Sequence, residues 1–255
     1  MSDPRPRESQ SLLDTIGRFF VPVHRDGYKF LAGAALATLV LFQFSSPLGW
    51  LGAIATAYVA YFFRDPERVT PTRAGAVVSS ADGRIVDVAD GVMVPRELTL
   101  GDGRRTRISV FLSVFDVHIV RAPVAGRIVS SVYVPGAFLN AELDKASEEN
   151  ERRALVIETE TGEKIGLVLI AGLVARRIVT FAGEGASVAR GERVGLIRFG
   201  SRVDVYLPAS ARVLVAPGQT AIGGETVLAE LGPSGLGPQP ATNEAQVTSS
   251  ELVQD

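Results

Sequence analysis

Residues 193–207 read RVGLIRFGSRVDVYL: two β-branched runs, Arg193 to Ile197 and Arg202 to Leu207, on either side of a Gly200-Ser201 pair. Runs of this length, rich in Val, Ile and aromatic residues, are read as strands. Working outward, the same phrase recurs at Ala76 to Ser79, Arg84 to Val88, Thr106 to Leu112, Gly126 to Val134, Leu155 to Thr159, Lys164 to Ile170, Arg177 to Phe181 and Ala211 to Val215. Turn chemistry separates the runs at Asp82-Gly83, Asp90-Gly91, Gly101-Asp102-Gly103, Thr161-Gly162, Gly183-Glu184-Gly185 and Pro217-Gly218. Short strands at this density predict a mainly β fold, a compact barrel or sandwich. One stretch departs from the pattern. Leu139 to Arg153 is polar and helix-prone, too long for a tight turn, and is expected to be a functional excursion.

The N-terminal side has a different character. Phe30 to Phe44 and Leu48 to Phe63 carry no charge, and Ser45-Ser46-Pro47 breaks helix between them. Each run is at or just below the ~20 residues that cross a bilayer as a helix. They predict a hairpin of two short membrane helices. Arg18, Arg25 and Lys29 precede the pair and Arg64, Arg68 and Arg73 follow it, which puts both ends on the cytoplasmic side. Tyr28, Trp50, Tyr58 and Tyr61 stand near the run ends, where amphipathic rings favour the interface. A cleaved signal peptide fits poorly, because the apolar part starts late and is doubled. A helical hairpin buried in a soluble core remains the alternative. The expected organisation is an N-terminal segment over 1–27, a membrane hairpin over 28–63, a catalytic β domain over 64–231 and a disordered tail over 232–255, with Met1 to Gln10 disordered too.

Composition narrows the chemistry. The 255 residues hold 26 Lys and Arg against 28 Asp and Glu, a net charge of −2, so a basic nucleic-acid binder is not expected. Cysteine is absent, which removes disulfides, thiolate metal sites and thiol nucleophiles. With only His24 and His118, a multi-histidine metal site is not expected either. Mean hydropathy is +0.22 despite 21% charged residues, because the apolar residues are concentrated in the hairpin.

The residue types left for catalysis include Ser201, His118 in Phe115-Asp116-Val117-His118, and Asp82 in Ser80-Ala81-Asp82-Gly83. A hydroxyl, an imidazole and a carboxylate are the nucleophile, base and orienting group of a triad. Each has a plainer reading: Gly-Ser and Asp-Gly pairs are common turns, and a histidine between apolar residues is commonly a satisfied core residue. His24, in a basic stretch beside the hairpin, is most simply interfacial.

Taken in order, Phe63-Arg64-Asp65-Pro66, Ser80-Ala81-Asp82-Gly83, Phe111-Leu112-Ser113 leading into Asp116-Val117-His118, Arg121-Ala122-Pro123-Val124-Ala125-Gly126, Asn150-Glu151-Arg152, Ala171-Gly172-Leu173-Val174-Ala175-Arg176-Arg177-Ile178 and Phe199-Gly200-Ser201 resemble the successive motifs of phosphatidylserine decarboxylases of the short bacterial and archaeal type. The resemblance implies a proenzyme that cuts itself between Gly200 and Ser201 into chains 1–200 and 201–255, which stay associated. It implies that Ser201 Oγ attacks the Gly200 carbonyl, that His118 takes the hydroxyl proton and that Asp82 orients His118. Elimination and hydrolysis then leave a covalent pyruvoyl cofactor at position 201. Through a Schiff base to it, phosphatidylserine loses CO2 to give phosphatidylethanolamine in phospholipid biosynthesis at the cell membrane, and no metal is implied. Longer family members carry a second histidine where this chain has Arg121, which is suited to a carboxylate or phosphate. Arg121, Asn150 and Arg152 are kept as weaker substrate-side candidates. A homo-oligomer is compatible with the pattern, and an ether-linked serine lipid of archaeal type is an alternative substrate.

Ala122 to Val129 and Gly185 to Gly195 also resemble the strand-turn phrases of biotinyl/lipoyl barrels, implying a barrel-sandwich-hybrid-like core. That resemblance admits a second class, a membrane-anchored adaptor or carrier without catalysis. A carrier needs a lysine at a hairpin tip, and neither Lys145 nor Lys164 has that context.

Overall fold

The computed structural model describes residues 21–101, 103–136, 150–172, 177–198 and 200–232. The two tails, Arg18, residues 139–149 of the polar excursion, residues 173–176 and Phe199 lie outside them.

Two helices come first, α1 (Tyr28–Phe44) and α2 (Ser46–Phe62), joined at Ser45 with Pro47 in the first turn of α2, where a missing N–H costs nothing. They form a hairpin because small residues let them approach. The Phe42 ring packs over Gly49, Gly52 faces Thr38, and the Thr38 and Thr56 hydroxyls meet at 2.9 Å. The helical stretch Arg25–Phe44 is long and apolar enough to cross a membrane, whereas α2 has 17 residues. The outward faces are apolar and exposed, with Leu36, Leu39, Trp50, Leu51 and Ile54 all above 60%. A hairpin buried in a soluble core is therefore not what the chain forms. Its open end is tied shut by backbone pairing: His24 N–H donates to the Phe63 carbonyl at 2.8 Å and Asp65 N–H to the Pro22 carbonyl at 2.7 Å.

The rest is mainly β, as the turn spacing predicts. An antiparallel sheet of eight strands runs in the order β13 (Thr220–Ala221), β2 (Gly83–Val92), β3 (Arg105–Leu112), β11 (Ser201–Pro208), β7 (Lys164–Ala171), β6 (Arg152–Glu158), β5 (Gly126–Val134) and β9 (Ser187–Val188). It curls around a core closed by two three-stranded sheets, β1 (Ala76–Val78), β14 (Val227–Glu230), β12 (Arg212–Val213) and β4 (Ile119–Arg121), β10 (Arg193–Ile197), β8 (Ile178–Thr180).

β11 shows why the sheet holds. Val203, Val205 and Leu207 point into the main core, while Arg202, Asp204 and Tyr206 alternate onto the other face. That face is also covered: Tyr206 packs with Leu98, Ala154, Val156, Val168 and Ile170 beneath a 3-10 turn at Arg96–Leu98. Burying a charge there requires a partner. Arg202 donates to both Asp204 oxygens at 2.7 and 3.1 Å and to Ser109 Oγ at 2.9 Å. One expectation is corrected here. Arg152 and Arg153, assigned above to a helix-prone excursion, begin β6, because cross-strand pairing with β5 and β7 outweighs the local preference of a polar run.

Candidate active site

Ser201 opens β11 at the centre of the large sheet, paired with Leu112 of β3 on one side and Ala171 of β7 on the other. It is fully buried, and its Oγ has no hydrogen-bond partner among the described residues. Before it, Gly200 turns the chain out of β10 with φ +59°, a left-handed conformation that glycine adopts without a Cβ penalty. Among the described residues, none beyond its chain neighbours comes within 4 Å of where a Cβ would stand, so backbone conformation rather than crowding calls for glycine.

His118 reaches the same region from the loop between β3 and β4. The loop leaves β3 at Leu112, opposite Ser201, and returns at His118, whose carbonyl accepts from Ile197 N–H at 3.2 Å. Both loop ends therefore bracket the turn from Ile197 to Ser201. Asp116 shapes the loop: its carboxylate accepts from Ser113 N–H at 2.8 Å and Ser113 Oγ–H at 2.7 Å. The Asp116 carbonyl lies 2.9 Å from His118 Nδ1. A carbonyl only accepts, so Nδ1 carries the proton and Nε2 the lone pair. Nε2 is buried with no hydrogen-bond partner among the described residues. Burial pushes the imidazole pKa down to about 4, against the Asp116 carbonyl bond and the Asp116 charge, with Arg64 lowering it further. At neutral pH the ring is an uncharged base.

The helical hairpin grips this loop. Tyr58 OH donates to the Val114 carbonyl at 3.0 Å, and Arg64 Nη2 to the Phe115 carbonyl at 2.8 Å. The Phe62 ring centroid lies 4.3 Å from that of His118. From there the rings continue outward, Phe62 to Phe63 at 5.0 Å and Phe63 to Phe30 at 5.3 Å.

A buried serine whose Oγ has no partner among the described residues follows a left-handed glycine, and a buried neutral histidine stands on the loop that brackets the same turn, residue types able to act as nucleophile and base. The family model described as phosphatidylserine decarboxylase matches residues 55–229. The chain belongs to the phosphatidylserine decarboxylase family. It is 59% identical over 209 residues to the phosphatidylserine decarboxylase proenzyme of Nitrobacter winogradskyi, covering 82% of this chain and 84% of that protein. This settles the choice between catalyst and adaptor in favour of a decarboxylase-family enzyme. The family match takes in Phe62, Asp82, His118, Gly200 and Ser201.

The other expected residues of this decarboxylase-family chain fall differently. Asp82 does not hydrogen-bond His118 here. Its carboxylate accepts from Arg68 Nη2 at 2.6 Å and Gly223 N–H at 2.7 Å, while the Asp116 carbonyl takes the bond at Nδ1. Desolvation raises the Asp82 pKa, opposed by Arg68 and the Gly223 bond, with the Asp116 charge raising it further. Gly83 fixes this turn against β3, because a Cβ would stand 2.0 Å from the Phe111 carbonyl oxygen. Arg121 is buried and committed to the framework, donating to the Gly191 and Pro66 carbonyls at 2.9 Å each and lying 3.5 Å from Asp65. Arg152 is likewise engaged, through Glu97. Both guanidiniums are thus engaged by framework carbonyls and carboxylates. Asn150 is fully buried and donates to the carbonyl of Ala171, the neighbour of Ser201. It braces the strand beside the serine.

Sequence reading misses Asp116, which acts through a backbone carbonyl that any residue would supply. It also misses Phe62, read as part of a membrane run. The signal for both lay in the Ser113-x-x-Asp116 spacing and in the last apolar residues before Arg64.

Proposed function

We propose that the chain is a phosphatidylserine decarboxylase made as a proenzyme, which cuts its own Gly200–Ser201 bond and uses the pyruvoyl group left at position 201. The observation that carries this reading is a pair of buried atoms, Ser201 Oγ and His118 Nε2, that have no hydrogen-bond partner among the described residues and stand on segments that bracket the Gly200 turn.

The residues suit the reaction. His118 Nε2 takes the hydroxyl proton, and Oγ attacks the Gly200 carbonyl carbon. The Gly200–Ser201 C–N bond breaks, the Ser201 nitrogen gains a proton, and an ester links Gly200 to the serine side chain. Loss of the Ser201 Cα proton then expels the Gly200 carboxylate from Cβ, and one water releases ammonia. Asp82 is proposed to meet the imidazolium by exchanging Arg68 for Nδ1–H.

The pyruvoyl carbonyl supplies an electrophile for a substrate amine and a sink for the electron pair left when CO2 departs. Residue 201 is held for that task by both neighbours in the sheet. His118, fully buried against the Phe62 ring, takes a proton from the substrate ammonium as it condenses and returns it to the substrate carbon. After the cut, chain 201–255 keeps β11 between β3 and β7, β13 on β2 and β14 on β1, which supports lasting association with chain 1–200.

The hairpin over 28–63 is proposed to enter the cytoplasmic face of the cell membrane, with 64–231 as the catalytic domain beneath it. The stretch Arg25–Phe44 could cross, but the 17 residues of α2 are roughly 25 Å long, short of the ~30 Å hydrocarbon core, which limits the hairpin as a pair. The tip dips in while Arg25, Lys29 and Arg64 stay at the headgroups. Phosphatidylethanolamine made there enters the membrane directly.

On a denaturing gel the chain should run as two fragments divided at Gly200/Ser201, the small one blocked to Edman sequencing, and Ser201→Ala as one band. Carboxyl-labelled phosphatidylserine in vesicles should release labelled CO2. An active chain that is never cut, or a cut chain inert toward the lipid, overturns the reading.

A further inference from the structure

We propose that the Arg198 guanidinium binds the phosphodiester of the lipid headgroup and so positions the substrate amine at residue 201; this rests on the lipid decarboxylation proposed above. Three other arginines around the site are spoken for, and Arg177, whose charge also acts here, is exposed. Arg64 is used by the Tyr61 and Phe115 carbonyls, Arg68 by Asp82, and Arg121 by Gly191 and Pro66. Arg198 differs. It makes no hydrogen bond or ion pair among the described residues, and its Nε is buried without a partner. Its Cζ sits 4.9 Å from the Phe30 ring centroid, on the first turn of α1, where apolar helix surface meets the catalytic domain. Through Phe30, Phe63 and Phe62 it is joined by ring contacts to His118. Burial and the Arg177 charge hold its pKa below the usual arginine value, against Asp26, so a second cation acts on the same spot. An arriving oxyanion would relieve both penalties.

Chain geometry and chemistry agree on which oxyanion. Arg198 lies three residues before Ser201, at most about 10 Å along an extended backbone. In a serine phospholipid the phosphate is about 5 Å from the amine, within the reach of an arginine side chain from that distance. The carboxylate is the wrong partner. A guanidinium clamped on it would stabilise the ground state that decarboxylation has to leave, whereas binding the unreacting phosphate orients without that penalty. Lipid chains would then lie along the exposed face of α1 as the headgroup turns inward.

The test compares wild type, Arg198→Ala and Arg198→Lys, all normalised per cleaved chain, on phosphatidylserine in phosphatidylcholine vesicles. Calorimetry on the same proteins measures binding of glycerophosphoethanolamine, ethanolamine and inorganic phosphate, and sedimentation measures binding to phosphatidylglycerol vesicles. Arg198→Ala should lose about 10- to 100-fold in kcat/KM, mainly through KM, and lose glycerophosphoethanolamine affinity by a similar factor, with Arg198→Lys intermediate. Phosphatidylglycerol vesicle binding should stay within about twofold, since the apolar hairpin dominates it. The proposal is overturned if Arg198→Ala keeps wild-type kcat/KM, if it loses kcat alone, or if its deficit matches a loss of phosphatidylglycerol binding. It is also overturned if wild type binds inorganic phosphate or ethanolamine as tightly as glycerophosphoethanolamine. Wild-type cleavage and CO2 release are the separate control: their failure would remove the decarboxylase reading, whereas a negative Arg198 result alone would not.

Discussion

The Phe62 ring, at the last residue of α2, packs with its centroid 4.3 Å from that of the His118 imidazole, so the end of the apolar hairpin forms one wall of the imidazole's pocket. Removing that wall lets water reach a ring now fully shielded from it. Phe62→Ala should destabilise the Ser201→Ala proenzyme by about 3–5 kcal/mol. It should also raise the pH midpoint of self-cleavage by about 1–2 units as the imidazolium becomes solvated. Stopped-flow mixing into buffers of graded pH, read by gel, checks the shift, and an unmoved midpoint would mean that Phe62 serves packing alone.

The pH dependence has a definite sign. His118 titrates at about 4 in the fold and near 6.5 when unfolded, so the unfolded chain takes up its proton first as pH falls. Stability from the neutral ring is complete above pH 6.5 and is lost between there and about 4, on the order of 3 kcal/mol in all. Self-cleavage should stay near its neutral rate at pH 5.5, where an ordinary histidine would be mostly protonated. Urea midpoints of Ser201→Ala at pH 7.5 and 4.5, with His118→Gln as reference, measure the stability; a rate midpoint at pH 6.5 would sink the burial argument.

Asp82 is paired with Arg68 in the uncut chain, and its proposed part in self-cleavage requires it to change partners. Asp82→Asn should slow cleavage by about 100-fold or more. Arg68→Gln, which leaves the carboxylate in place, should slow it less. Equal loss in both variants, measured by time-resolved gels, would mean that the ion pair serves only the fold.

The Arg202–Asp204 pair is almost wholly shielded, at 1% and 0% side-chain exposure. Asp204→Ala should therefore cost about 3–5 kcal/mol by stranding a buried guanidinium. In a chain already cut, β11 should come away from β3 and β7 at lower denaturant, visible as separation of the two fragments on size exclusion in moderate urea. Retention equal to wild type would place the hold elsewhere.

Much of this was legible in the residues. Arg193 to Ile197 and Gly126 to Val134 are strands with the boundaries expected, because long β-branched runs between glycine turns leave little alternative. Strands of two to four residues, such as Ile119–Arg121, Ser187–Val188, Thr220–Ala221 and Val227–Glu230, have too few residues to show a period, and only their partners make them strands. His118 stood out as one of two histidines, and Ser201 through the Phe199-Gly200-Ser201 phrase of the family resemblance. Arg121 looked free because sequence shows a charge but not the carbonyls of Gly191 and Pro66 that occupy it. Arg198 was given no role for the converse reason: a missing partner has no sequence signature.

The placement of Ser201 at the head of the sheet's central strand has one more consequence. A dissociable coenzyme can be lost and replaced, but a group carved from the backbone stays joined to residue 202 by a peptide bond and cannot be exchanged even by unfolding. On the proposed reading each molecule therefore arms itself once. A copy whose prosthetic group is spoiled by a misdirected proton is finished, and the cell can restore its activity only by translating a new chain.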